Sequence, residues 1–225
     1  MISMIEALNY RSLRYIRQPI DNFHVLIGPN ASGKTTFLDV VTFLGRLMTD
    51  GVEAAISKRT ENFVDLLWMR EGTRFELAIE AVLLESIRNE VGNEDMTTIR
   101  YEVAIGVIPE SATEEVGILD ERVSLKPTSP DDQIPRFHFP EIIQPPITII
   151  RRNKTRWKLL FSRNQKGINS YVSEVDDSGI SWSPPLKFGH PNFALSRLPF
   201  DEKRFPALTW FKELLRAYPR TLAAL

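Results

Sequence analysis

Residues 28–36 read GPNASGKTT and fit the pattern G-x-x-x-x-G-K-[ST], a loop that surrounds phosphate groups with backbone N–H groups. The pattern constrains the fold because the loop works only between a strand and a helix. The apolar run 23–27 before it predicts a buried strand. After it, apolar side chains recur at helical spacing and predict a helix with one face on a sheet and with Asp39 and Arg46 outward. The members of that apolar stripe are Phe37, Leu38, Val41, Leu44 and Met48.

The residue types of this loop suit a triphosphate. Gly28 and Gly33 leave room for the backbone to turn around an anion, where side chains would crowd it. Lys34 supplies a positive charge for the β- and γ-phosphates, and the Thr35 hydroxyl is placed to ligate Mg²⁺. The helix N-terminus adds the positive end of its dipole. The loop therefore predicts ATP and Mg²⁺ as ligands, with Lys34 as the catalytic residue and Thr35 as the metal ligand.

Composition excludes several other classes of protein. The 225 residues carry 28 Lys and Arg against 29 Asp and Glu, a net charge of −1, which gives no global field for nucleic acid. No cysteine is present, so disulfides and thiolate metal sites are excluded. The three histidines are far apart and lack zinc spacing. No run reaches the ~18 apolar residues of a membrane span, and we expect a soluble cytoplasmic protein.

The rest of the chain predicts two early strands, a continuation of the helical region and then an antiparallel meander. The first helix is expected to end near residues 49–51 and to be followed by helical stretches over 52–58 and 62–68. The last helix is predicted over 206–217, with Tyr218-Pro219 as its stop. Strands are predicted at 4–8, 14–20, 74–84, 99–108, 118–125, 148–150, 157–161, 170–175 and 180–182, with a hairpin turn at 176–179.

The sequence NYRSL at residues 9–13, some fifteen residues before the loop, resembles the start of RecF-like, SMC-like and OLD-type ATPases. These lie on the ABC-ATPase side of the P-loop fold, and the loop itself looks most like the bacterial "AAA family ATPase" group. The resemblance implies an α/β fold with one ATP-binding domain over 1–225. It also implies an antiparallel β-subdomain at about 73–183 and the start of a helical subdomain at about 204–218.

The resemblance also implies the residues near the nucleotide. It places Asn30 of the loop and Arg11 of NYRSL there, although Arg11 also fits an ordinary surface arginine after an edge strand. The predicted binding residues are Arg11, Gly28, Asn30, Ala31, Ser32, Gly33, Lys34, Thr35 and Thr36.

Other candidate sites are weaker. Asp120-Glu121 follows an apolar run like a Walker B strand, but its place in a meander favours an exposed acidic pair. The glutamine that senses the γ-phosphate in such ATPases has Arg197 or Gln144 as its counterpart here. The basic cluster at 151–157 suits a solvated strand end better than a nucleic-acid contact. The six prolines of 126–146 predict a long loop.

No signature motif or credible Walker B strand follows the last helix, so the chain reads as the N-terminal portion of such an ATPase. Hydrolysis would then need a homodimer or a second ATPase half. The alternative is a non-hydrolysing ATP-binding module that recruits an effector such as a nuclease. A small-molecule kinase or GTPase is disfavoured because lid arginines and an N-K-x-D motif are absent.

Overall fold

The computed structural model describes residues 1–109, 115–128, 144–152, 155–163, 169–172, 174, 181–182 and 203–222. Within these ranges, strands and helices form a mixed α/β arrangement. The strands are β1 (Ile2–Tyr10), β2 (Leu13–Pro19), β3 (Arg74–Val82), β4 (Thr98–Val107), β5 (Val116–Lys126), β6 (Lys158–Arg163), β7 (Asn169–Val172) and β8 (Ser181–Trp182). The helices are α1 (Lys34–Ser57), α2 (Glu85–Val91) and α3 (Pro206–Leu222).

The strands form one sheet in the order β2-β1-β3-β4-β5-β6-β7-β8, and every neighbouring pair is antiparallel. From β3 to β8 each strand pairs with the next along the chain, which confirms the predicted meander. β1 pairs with β2 on one side and β3 on the other, so α1 is inserted in the connection between β2 and β3. The predicted α/β class with an antiparallel sheet is correct.

One face of this sheet buries apolar side chains, and the other buries charged side chains. On β3, Phe75, Leu77 and Ile79 belong to the apolar core that α1 and α3 cover. The Phe75 ring lies 5.6 Å from that of Phe43 on α1, and Tyr101 on β4 lies 6.1 Å from Phe211 on α3. Because side chains alternate along a strand, the residues between these core positions point to the opposite face.

The opposite face carries a buried ionic cluster around Arg100. The guanidinium of Arg100 lies 2.7 Å from a Glu6 carboxylate oxygen, 2.8 Å from Glu80 and 2.5 Å from Glu102, and its side chain is fully buried. The Lys126 ammonium also contacts Glu80, at 2.7 Å. Charges removed from water are tolerated only when they are paired in this way.

The strand predicted at 148–150 is wrong, because this segment covers the ionic face instead of joining the sheet edge. The Ile149 carbonyl accepts a hydrogen bond from the Arg100 guanidinium, and the Ile149 N–H donates to Glu76 at 2.7 Å. The Arg151 N–H donates to Glu102 at 2.9 Å. Carboxylates of the sheet thus accept the hydrogen bonds of backbone N–H groups that would pair with a neighbouring strand if this segment were part of the sheet.

The helical predictions are confirmed with some changes of boundary. α1 is interrupted at Gly51, whose φ of 86° is left-handed, so the break predicted at 49–51 and the helix at 52–58 are both present. The stretch at 62–68 forms two short 3₁₀ turns, Phe63–Leu66 and Trp68–Arg70. α2 was not predicted, because seven residues are too few for a clear apolar period.

The last helix begins at Pro206 as predicted, and a buried carboxylate completes its first turn. Glu174 accepts hydrogen bonds from the N–H groups of Ala207 at 2.6 Å and Leu208 at 2.9 Å. The stop predicted at Tyr218-Pro219 is wrong, since α3 continues to Leu222. One proline removes a single helical hydrogen bond, and the packed turns before it outweigh that loss.

Other predictions cannot be compared with the fold because their residues are outside the described ranges. They are the hairpin turn at 176–179, most of the loop at 126–146, and the stretch around Arg197. Gln144 lies within the ranges and is exposed.

The run 23–27 differs most from its prediction, because it is neither a strand nor buried. Phe23 is 84 % exposed and Ile27 is 91 % exposed. A strand needs neighbours to take its backbone hydrogen bonds, and in the described part of the chain no strand pairs with this run. The prediction of a buried strand at 23–27 is therefore wrong.

Replacing Arg100 with Met should destabilise the fold by about 3–5 kcal/mol, because Glu6 and Glu102 would remain buried without their nearest cation, whereas Glu80 would keep Lys126. The measurement is urea unfolding followed by circular dichroism. The control is Arg46→Met, which breaks only the partly exposed pair of Arg46 with Asp50 and should cost about 0.5 kcal/mol or less. Equal stability of the two variants would contradict the role assigned to the ionic cluster.

Candidate functional site

The loop at 28–33 turns tightly into the start of α1. Gly33 has a φ of 90°, a left-handed conformation that side chains disfavour, and a Cβ there would lie 3.2 Å from Leu13 and 3.3 Å from Ser12. Ala31 is also left-handed, with a φ of 62°. A Cβ on Gly28 would lie 2.9 Å from the Ser32 hydroxyl. The backbone conformation therefore requires glycine at 33, whereas a side chain at 28 would need the Ser32 hydroxyl to move.

Helical hydrogen bonding starts at the second glycine, whose carbonyl accepts from the Phe37 N–H at 2.8 Å. The N–H groups of the first turn consequently have no partner within the helix. Together with the helix dipole, they form a site suited to an anion. The sequence pattern predicted this arrangement of loop and helix.

The Lys34 side chain folds back over the loop. Its ammonium donates hydrogen bonds to the carbonyls of Gly28 at 2.7 Å and Pro29 at 2.6 Å, and it lies 3.4 Å from the Ser32 hydroxyl. The charge is therefore centred on the loop. Phosphate oxygens are stronger acceptors for an ammonium than neutral carbonyls are.

The two threonines after Lys34 point to different surroundings. Thr35 is exposed, and its hydroxyl makes no hydrogen bond to another described residue. Thr36 is buried, and its hydroxyl accepts a hydrogen bond from Ser12 at 2.8 Å. Thr35 is thus the hydroxyl available to a ligand, whereas the Thr36 side chain attaches α1 to the turn between β1 and β2.

Asp39, in the second turn of α1, is the centre of a hydrogen-bonded cluster and not the outward residue that its helical position predicted. Its carboxylate accepts from the Tyr10 hydroxyl at 2.7 Å, the Thr42 hydroxyl at 2.8 Å and the Arg59 Nε at 2.9 Å. Arg11 adds an ion pair at 3.1 Å. Leu38 beside it is also misassigned, since it is 44 % exposed and not part of the core.

The cluster shifts the acidity of its members. Burial opposes ionisation of Asp39, but the hydrogen bonds and charge of Arg59 outweigh burial and lower the pKa of the Asp39 carboxyl to about 2. Burial, followed by the negative charge of Asp39, raises the pKa of Tyr10 well above its usual range. Tyr10 therefore remains protonated and donates to an ionised carboxylate at neutral pH.

Arg11 lies in the tight turn between β1 and β2, with a left-handed φ of 50°. Its N–H donates to the Leu66 carbonyl at 2.8 Å, and its partly exposed guanidinium reaches Asp39. The neighbouring Ser12 contacts Thr36 in the first turn of α1. The turn that carries the sequence NYRSL is therefore packed against the helix that follows the phosphate loop.

The weaker candidate sites are occupied by structural contacts. Asp120 is paired with Arg152, and Glu121 is fully buried and contacts the Tyr101 hydroxyl at 3.3 Å. Both acids are on β5 within the meander, but the prediction that they form an exposed pair is wrong, because both are buried against these partners. In the basic cluster, Arg151 lies 3.8 Å from Glu6 on the sheet.

Two kinds of feature are absent from the residues that the structure describes, a metal centre built from the protein alone and a membrane-spanning helix. No group of three or more His, Cys, Asp and Glu is arranged to hold a metal ion by itself. None of the described helices is long and apolar enough to cross a membrane.

A sequence model of the family described as "AAA domain, putative AbiEii toxin, Type IV TA system" matches residues 23–142, which is more than half of the chain. The chain belongs to this AAA-domain family. It therefore contains an ATPase-type nucleotide-binding domain, and the resemblance to AAA family ATPases is confirmed. The match begins at the apolar run before the loop and includes the loop, α1 and the strands β3 to β5.

Among the solved structures to which the AAA domain is similar is one from work titled "Structural biochemistry of ATP-driven dimerization and DNA stimulated activation of SMC ATPases". The identity is 19 %, the match covers 55 % of this chain and 68 % of that chain, and the TM-score is 0.38. No curated protein matches the chain.

Sequence reasoning missed the residues that hold the loop helix in place. Ser12 is 24 residues from its partner Thr36. Asp39 is 28 residues from Arg11 and 20 residues from Arg59. No local pattern links positions with such separations. Helical spacing places Asp39 on the outward side of the helix, so the sequence pattern carries no signal of its contacts with distant residues.

Replacing Asp39 with Asn should destabilise the AAA domain by about 2 kcal/mol at pH 7, the equivalent of a pKa lowered from 3.8 to about 2. A lowered folded-state pKa contributes stability above the unfolded pKa, and this contribution is lost as pH falls from about 4 towards 2. Urea unfolding at several pH values measures it. The difference between wild type and variant should shrink over that window, and a constant difference would contradict the assignment.

Proposed function

We propose that this AAA domain binds ATP with Mg²⁺ through residues 28–36, as the nucleotide-binding lobe of an ABC/SMC/RecF-like ATPase. The observation that supports the proposal best is the position of the Lys34 ammonium, 2.6–2.7 Å from two loop carbonyls at the start of α1. An anion in the loop would meet that charge and the free N–H groups of the first helical turn together.

Each predicted residue then has a role based on its place in the loop. The backbone from Gly33 to Thr36 donates N–H groups to the phosphates, and Lys34 binds the β- and γ-phosphates. Thr35 offers its hydroxyl to Mg²⁺, which neutralises phosphate charge when bound. The remaining loop residues, Gly28, Asn30, Ala31 and Ser32, surround the phosphates.

Arg11 contributes from the neighbouring turn in this proposal. Its guanidinium is partly exposed and ion-paired to Asp39, a residue of the second turn of α1. A triphosphate in the loop would compete with Asp39 for this cation, as a second anion near the same guanidinium. In this proposal Arg11 contacts the nucleotide, and its ion pair with Asp39 positions the guanidinium beside the loop before the nucleotide binds.

Hydrolysis is assigned to an assembly, with a second copy or a second ATPase half supplying the missing motifs. In favour of this assignment, the Asp120 and Glu121 carboxylates are both engaged elsewhere in the sheet. We treat residues 1–225 as one ATP-binding domain, acting in the cytoplasm. The same observation supports a second candidate function, in which the domain binds ATP without turnover and recruits an effector such as a nuclease.

Replacing Lys34 with Ala should weaken ATP binding by about 10- to 100-fold, because charged hydrogen bonds of roughly 1.5–3 kcal/mol are lost. Isothermal titration calorimetry with ATP and Mg²⁺ measures the change. Lys58→Ala, an exposed lysine at the other end of α1, is the control with the same loss of charge. Equal affinity of Lys34→Ala and wild type would refute the ATP site.

Replacing Thr35 with Val should reduce the dependence of ATP affinity on Mg²⁺, because the isosteric side chain removes the metal-ligating hydroxyl. Titrations with ATP in Mg²⁺ and in EDTA measure this dependence. Thr35→Ser keeps a hydroxyl and should behave like wild type. If Val leaves the ratio of the two affinities unchanged, Thr35 is not the metal ligand.

A further inference from the structure

The ionic face of the sheet contains a cavity of about 340 Å³, which lies between β3, β4, β5 and the segment at 148–152. This volume is near the small end of the range of about 300–1,000 Å³ that is common for ligand sites. The cavity lies over Ala104, because the strand register places this small residue between Glu76 on β3 and Asp120 on β5. The two acids are two strand spacings apart, about 10 Å, and the alanine leaves the space between them open.

A β-bulge gives the cavity an apolar wall. The register between β4 and β5 shifts by one residue after Ala104, which leaves Leu119 without a partner on β4. In a regular strand Leu119 and Asp120 would point to opposite faces, but both line this cavity. Leu119 packs there with Ala104 and Ile150. The bulge thus places an apolar side chain and a carboxylate next to each other, and bulges are common where a strand redirects a side chain at a functional site.

Two guanidinium groups of the cavity lining have unused hydrogen-bond donors. Arg74 lies 3.0 Å from Glu76, and Arg152 is paired with Asp120. In the part of the chain that the structure describes, neither arginine has another polar contact. Their side chains are 41 % and 67 % exposed. A guanidinium has more N–H donors than one carboxylate oxygen uses, so both can also bind an anionic group in the cavity.

The carboxylates of the lining differ in what they can still accept. Both oxygens of Glu76 are engaged, one with its arginine and the other with the Thr148 hydroxyl and the Ile149 N–H, each at 2.7 Å. Asp120 uses only its Oδ2 atom, and its Oδ1 atom has no partner among the described residues. The Asp120 side chain is 12 % exposed. A carboxylate that is so largely buried needs a donor for its second oxygen.

We propose that this cavity binds a free aliphatic α-amino acid. The α-carboxylate accepts hydrogen bonds from Arg74 and Arg152, and the α-ammonium donates to the Oδ1 atom of Asp120. The aliphatic side chain packs on Leu119 and Ile150. A zwitterion with an apolar side chain therefore matches all three features of the lining.

Ligands with a single charge match the lining less well. A carboxylate without an amine would leave the Asp120 Oδ1 atom without a donor. An amine without a carboxylate would place a third positive charge beside two guanidinium groups and give them no acceptor. The proposal goes beyond ATP binding and does not depend on it, because α1 and the phosphate loop lie on the opposite face of the sheet.

The test is isothermal titration calorimetry of the full chain with L-leucine and two analogues that each lack one charged group. 3-Methylbutan-1-amine lacks the carboxylate, and 4-methylpentanoate lacks the ammonium, while both keep the branched aliphatic chain. Leucine should bind at least tenfold more tightly than either analogue, since each analogue loses hydrogen bonds between charged groups.

Variants of the chain check the location. Asp120→Asn should weaken leucine binding at least tenfold without weakening 4-methylpentanoate binding, because it removes only the partner of the ammonium. The matched control is Asp50→Asn, which changes a partly exposed aspartate on α1 and should bind leucine like wild type. Ala104→Leu fills the space over β4 and should abolish binding of leucine. If urea unfolding shows that Ala104→Leu does not fold, the two aspartate variants decide the location by themselves.

Three results would overturn the proposal. They are leucine affinity no higher than that of either analogue, equal leucine affinity of Asp120→Asn and Asp50→Asn, and retained binding in a folded Ala104→Leu variant. Lys34→Ala should bind leucine like wild type, which separates failure of this proposal from failure of the ATP site.

Discussion

The position of the phosphate loop depends on the Asp39 carboxylate. The loop has no strand before it to hold its first residue, so its placement relies on α1 and the turn between β1 and β2. Asp39 joins that turn, through Tyr10 and Arg11, to the helix and to Arg59 beyond its end. Its lowered pKa is the electrostatic consequence, since the carboxylate is ionised while largely buried. Ser12 adds a direct bond to Thr36 in the first turn.

The sheet supports α1 and the turn between β1 and β2, and both of its faces are buried. One face is apolar and packs on α1 and α3, and the other is ionic and is covered by the segment at 148–151. The alternation of Phe75, Glu76 and Leu77 looks like a strand with one face in water. It is instead a strand with two buried faces, because Glu76 is paired with Arg74 and accepts from the Ile149 N–H, while Glu80 is paired with Arg100 and Lys126.

Much of the secondary structure could be predicted because it follows from short-range pattern. Period-two alternation located β3, β4 and β5, and helical spacing located α1 and α3. The loop could be predicted from residue type alone, since Gly33 has a left-handed φ and leaves no room for a side chain beside Leu13 and Ser12. The errors at Leu38 and Asp39, and at 148–150, have one cause. Each depends on what packs against the residue, and periodicity carries no information about that.

Residue types and their short-range spacing are enough to predict a phosphate-type loop before a helix, an antiparallel meander and the motif NYRSL. Local sterics and side-chain alternation are sufficient for those features. The packing of distant segments places NYRSL against the loop helix, buries the acidic face of the sheet and leaves 23–27 exposed. Those outcomes depend on contacts between distant residues, because a buried charge or a strand edge is stable only when its partner is in place.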